Sequence, residues 1–135
     1  MPINLDQLWV PVKVPTGKKS LDFFMHNWKE GELQGLPFNG EILPPSGSSE
    51  RKMTIAPENI SHCVLDVDMN SYDEKTDTVQ ARVKFTGPYH QMARSMYINK
   101  DLRFIARTVT LVNKHTNERV KRIVTFDCIT RPGAK

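Results

Sequence analysis

The sequence predicts a single α+β domain built on a mainly antiparallel sheet with two helices. Three observations carry that prediction. The segment "TVQARVKF" (78–85) alternates apolar and polar residues, the period of a strand with one buried face. "RFIARTVTLV" and "ERVKRIVTFDCIT" are β-branched runs on either side of the polar turn "NKHTN", the pattern of a hairpin. Leu21, Phe24, Met25 and Trp28 then recur at helical spacing, so helix and strand share one chain of 135 residues.

Taken in order, residues 1–17 contain three prolines and little periodicity and read as an extended N-terminal arm ahead of a domain over 18–135. Trp9, Val10, Val12 and Val14 are its apolar contacts, anchoring on a neighbouring subunit, with an added strand or a disordered tail as the alternatives. Ser20 offers an N-cap for the first helix and Gly31 a stop, with His26 off the apolar stripe. "LPFNGEILPPSGSSERK" reads as a turn-rich loop with a short strand over 38–43. "SHCVLDVDM" (61–69) reads as a strand with Cys63, Leu65, Val67 and Met69 on one face, followed by the turn "NSYDEKTD". Thr86 and Pro88 open a second helix whose Tyr89, Met92, Ala93 and Met96 serve as core filler.

A hydrophobic fraction of 39% and a charged fraction of 25% describe an ordinary folded chain. No apolar run approaches the roughly 20 residues that span a bilayer. The first residues lack a basic start and an apolar core, so the expected compartment is a cytoplasm, with no membrane partner. Cys63 and Cys128 lie in apolar runs and read as buried thiols; their pairing stays open, and without CxxC spacing no zinc site is expected. The net charge of +4 hides an asymmetry. Residues 1–89 carry 9 Lys and Arg against 12 Asp and Glu, whereas residues 90–135 carry 10 against 3. The basic third suits an acidic protein surface or nucleic acid, and equally the solvated face of a strand.

No phosphate-binding loop, dinucleotide fingerprint or paired-histidine zinc motif is present, and no cofactor or metal is expected. Asp66 and Asp68, two residues apart, suit a cation, a shared proton or simply an exposed strand face. Ser61 and His62 are neighbours on a strand, whose side chains point to opposite faces; no direct contact between them is expected.

A larger pattern spans residues 40–132. In order, "NGEILPP", "ENISHCVLDVDM", "DTVQARVKFTGPYHQMARSMY", "DLRFIARTVTLVN" and "VTFDCITRPGAK" resemble the conserved pieces of the prohead (capsid maturation) proteases of tailed bacteriophages. That family shares the herpesvirus assemblin fold, so the resemblance implies an assemblin-like barrel. It also implies a serine endopeptidase with a Ser nucleophile, a His base and a third polar residue. The family's Ser-Ser pair falls here on Ile105 and Ala106, its Arg on Arg107, its His-Pro loop on Leu43 and Pro44, and its acidic position on Asp127. A methyl group cannot attack a carbonyl, so the resemblance implies a degenerate, non-enzymatic member.

The expected role is therefore a structural protein of a tailed-phage virion, a capsid decoration or cement protein or a head-to-tail component. It would assemble in the host cytoplasm, in several copies, against the major capsid protein or other virion proteins. Its contacts would be Trp9, Val10, Val12 and Val14 of the arm and Arg119, Lys121 and Arg122 of the basic strands. Two alternatives stand beside it. One is an active protease using Thr108 or one of Ser46, Ser48 and Ser49 with His62 or His90. The other is an internal head protein contacting DNA, the less favoured partner.

Overall fold

The computed structural model describes residues 7–31, 34–42 and 49–130. Six strands form one sheet: β1 (Leu8–Lys13), β2 (Phe38–Glu41), β3 (Ile60–Asp73), β4 (Thr78–Phe85), β5 (Leu102–Val112) and β6 (Arg119–Thr130). Helix α1 (Lys18–Glu30) follows β1, the single turn α2 (Ser49–Lys52) follows β2, and α3 (His90–Ile98) joins β4 to β5. The strand order is β2-β3-β4-β1-β5-β6, antiparallel except where β1 meets β5 at Val12↔Phe104 and Lys13↔Ile105. This is the expected α+β, mainly antiparallel architecture.

The two ends of that order curl toward each other and nearly close the sheet into a barrel. One parallel bridge, Ile42↔Cys128, joins them. Side chains do the rest: Thr125 Oγ1 donates to Asn39 O at 2.5 Å, and the Glu41 amide donates to Asp127 Oδ1 at 3.0 Å. His62 reaches across from β3 to Phe126 O at 2.8 Å. Gly40 makes that reach feasible, because a Cβ there would run into both Phe126 O and the His62 ring.

Of the alternatives for the arm, the structure shows the added strand and corrects the neighbour-anchoring one. Its residues 8–13 form β1, in the middle of the sheet, paired with β4 from Leu8↔Val83 to Lys13↔Thr78. Val10, Val12 and Val14 are buried in this chain's own core and are not surfaces for a neighbour. Pro11 is tolerated because β5 joins β1 only at the next residue, so the missing N–H breaks no ladder on that side. Gly17, at φ +84, turns the chain into α1, which starts at Lys18. Ser20 therefore lies inside the first turn, bonding back to Thr16 O, rather than capping it.

Leu21, Met25 and Trp28 of α1 are buried, and Phe24, Phe38 and Phe126 form an edge-packed aromatic group with Trp28 at centroid separations of 5.3–5.8 Å. Val79, Ala81, Val83 and Phe85 of β4 point inward as their alternation predicts. Strand β3 departs from its predicted face. Ser61 and Leu65 are extra residues in two β-bulges, one against β2 and one against β4, so the inward set is His62 and Val64, then Val67. Cys63 and Leu65 are only half-buried. On α3, Ala93 is buried and Met96 packs on the core, but Met92 is half-exposed, because the helix turns the Tyr89–Ala93–Met96–Tyr97 side to the sheet.

Replacing Gly40 with alanine forces the Phe126 carbonyl or the His62 ring out of the seam. Gly40→Ala is expected to lose about 2–3 kcal/mol, the usual cost of overpacking, measured as a lower urea midpoint at unchanged slope.

Candidate functional site

Cross-strand partners share a face, so the β5–β6 register sorts the predicted site residues into two groups. Phe104↔Cys128 and Ala106↔Phe126 face the apolar core; Ile105↔Asp127 and Arg107↔Thr125 face the other way. Ala106, at the position of the expected nucleophile, is buried with its methyl among apolar neighbours. Arg107 and Asp127 are on the opposite face, covered by the segment 51–56.

There Arg107 is the centre of a buried ion cluster. Its Nε donates to Asp127 Oδ2 at 2.6 Å and Nη2 to Asp127 Oδ1 at 2.8 Å, a forked pair. Nη2 also donates to Glu41 Oε2 at 2.8 Å, while Nη1 donates to the carbonyls of Lys52 and Thr54 at 3.1 and 2.7 Å. A guanidinium has five N–H groups, and these five bonds use them all. Glu41, fully buried, is further held by Arg51 Nη2 at 2.7 Å and Nη1 at 3.2 Å, by the Ala56 amide and by Asn59 Nδ2. Burial alone would raise its pKa; the hydrogen bonds from Arg51 and Arg107 override that and hold it down to about 2. Burial would likewise lower the Arg107 pKa, and Asp127 and Glu41 raise it instead. Glu41 therefore stays charged at neutral pH, and its oxygens and those of Asp127 are already taken up by these donors.

A second polar group sits inside the core. Contrary to expectation, Ser61 Oγ and His62 Nδ1 are 2.8 Å apart. Ser61 is the extra residue of the bulge opposite Gly40 and Glu41, where alternation fails and adjacent side chains can turn to one side. Phe126 O only accepts, so His62 Nε2 carries the proton; Nδ1 then accepts from the Ser61 hydroxyl, which accepts in turn from the Cys128 thiol at 3.2 Å. Every member is satisfied and closed to solvent. Burial lowers the His62 pKa to about 4 and pushes the Cys128 thiol up to about 12. The imidazole is neutral, the thiol protonated, and Asp127 points away toward Arg107, so no Ser–His–Asp relay forms.

The remaining predicted residues are scattered. Leu43, Pro44, Ser46 and Ser48 lie outside the described residues, and Ser49 begins α2. Thr108 is half-buried beside Ile123, while His90 Nδ1 is bonded to Gly87 O and His62 to Ser61 and Phe126 O. Asp66 and Asp68 each accept a backbone amide, from Val67 and Asn70. Among the described residues, no three His, Cys, Asp or Glu converge on a metal position, and both cysteines are free. No helix among the described residues is long and apolar enough to cross a membrane. Trp9 is half-exposed; Arg119 and Lys121 are exposed, and Arg122 stacks on Phe23 at 4.1 Å.

Glu41 and the Ser61–His62–Cys128 chain escaped sequence reasoning. A signal was available for the ion cluster: Arg107 and Asp127 are charges of opposite sign flanked by apolar and β-branched residues in the two strands of one hairpin. Comparison with family models, curated proteins and solved structures finds no match to the chain.

Removing the guanidinium leaves the buried Asp127 without its cation and Glu41 with Arg51 alone. Arg107→Met is expected to cost about 3–5 kcal/mol, read from chemical unfolding. A pH series separates the two polar groups. The unfolded imidazole binds a proton near pH 6.5 that the folded one refuses until about 4, so stability falls on acidification across that window. The slope approaches about 1.4 kcal/mol per pH unit, and His62→Gln flattens it. The Glu41 contribution is complete above pH 4.5 and is lost as pH falls toward 2, a decline that Glu41→Gln removes.

Proposed function

We propose that this chain is a non-enzymatic structural protein of a tailed-phage virion, a degenerate relative of the prohead proteases that acts by binding other virion chains. The observation that carries the non-enzymatic part is the state of the β5–β6 positions. Ala106 presents a methyl to a closed core, and the neighbouring Arg107 has no N–H left to offer an oxyanion. The buried Ser61–His62 pair does not rescue hydrolysis, because a peptide cannot reach it.

The virion part rests on the ordered resemblance of five segments across residues 40–132 and on an antiparallel, nearly closed sheet compatible with a barrel of assemblin type. With β1 absorbed into the sheet, the partner contacts are assigned to the exposed Arg119 and Lys121 and the half-buried Arg122 on β6, with Trp9 left on the surface. Partners are the major capsid protein or another head component, with the chain present in several copies.

Two outcomes are expected. Mass spectrometry of purified particles finds the chain at stoichiometric copy number; its absence from particles rejects the virion reading. Incubated with capsid or scaffold protein, neither the wild type nor Ala106→Ser cleaves. Cleavage that is lost in Thr108→Ala or His62→Ala would establish the enzyme reading instead.

A further inference from the structure

Between the first turns of α1 and strand β6 runs an open groove of about 580 Å³, lined by Lys19, Phe23, Arg119, Val120, Lys121 and Arg122 together with Ser20. Four of its side chains are cations and none is an acid. Among the described residues, none of the four has a carboxylate within ion-pair distance. The nearby Asp22 is bound to Lys18 at 3.6 Å, on the turn beside the groove. Like charges gathered on a concave surface without counter-charges repel one another, a cost that an anionic occupant removes.

We propose that this groove docks an acidic peptide segment of a partner protein, one that alternates carboxylates with apolar side chains. Phe23 is 46% exposed and supplies an apolar floor, with Val120 beside it. The Arg122 guanidinium lies 4.1 Å over the Phe23 ring, which holds its planar fork in place for a carboxylate. The same stacking disfavours single-stranded nucleic acid: one face of the only aromatic ring in the groove is already covered, and base stacking needs a series of open rings. The assignment rests on the binding role proposed above and names the partner chemistry for it.

Fluorescence anisotropy of a labelled peptide alternating glutamate and leucine tests the groove on the full chain. Binding is expected at low salt, with affinity falling about tenfold when glutamine replaces glutamate, the scale of two exposed charge pairs. Arg119→Glu with Lys121→Glu is expected to weaken it by about the same factor. Phe23→Ala, which keeps every charge, is expected to weaken it severalfold. Thermal melts check that each variant is folded; if the double charge reversal is not, Lys121→Gln is read in its place. Equal binding of the glutamine peptide, indifference to the variants, or tighter binding of a labelled single-stranded oligonucleotide overturns the proposal. So does self-association competing with the peptide at the groove. A chain found in particles that ignores the peptide overturns the groove alone; a chain that binds the peptide but is missing from particles overturns only the virion reading.

Discussion

The guanidinium of Arg107 binds three parts of the chain that are far apart in sequence: Asp127 on β6, Glu41 at the end of β2, and the carbonyls of Lys52 and Thr54. Those are the parts that must meet for the sheet to close. Among the described residues a single parallel bridge, at Ile42 just past β2, joins this edge to β6, so the closure depends on side chains supplying bonds that a backbone ladder would otherwise make. Asp127 serves both demands at once, accepting from Arg107 and from the Glu41 amide. Burying charge is costly, and the arrangement is sustained because every N–H of the guanidinium has a partner and both carboxylates are multiply bonded.

The proposed binding role rests on that commitment. In a hydrolase, an arginine beside the nucleophile and a carboxylate on the next strand would need donors or lone pairs left for substrate. Here both are consumed in holding the seam. The core-side chain from Cys128 through Ser61 to His62 is committed in the same way, ending on the Phe126 carbonyl across the same seam. Polar residues that look like chemistry in the sequence are thus spent on closure. Among the described residues, surface charge and exposed apolar side chains stay available to other molecules, and the proposed binding role is built on them.

The regular elements were legible because each declares itself locally. β4 alternates without interruption, the β5–β6 hairpin is flagged by its polar turn, and α1 carries its stripe of Leu21, Met25 and Trp28. β1 was not, because Pro11 argues against an interior strand and its acceptability depends on where β5 happens to pair. The inward face of β3 was not, because bulges at Ser61 and Leu65 reverse the alternation, and a bulge is a property of two strands together. The Ser61–His62 contact was lost for the same reason. Arg107 and Asp127 were singled out in the sequence, but their joint occupation by Glu41 could be seen only once β2 and β6 were brought side by side.

Nitrogen-15 NMR of the arginine side chains tests the central claim most directly, since a sealed, fully bonded guanidinium exchanges its protons far more slowly than a solvated one. One Nε–H signal, assigned by its loss in Arg107→Lys, is expected to persist long after exposed arginines have exchanged into deuterated water. An Arg107 signal that exchanges as fast as those of Arg119 and Arg122 would contradict it, leaving the guanidinium free to serve a substrate.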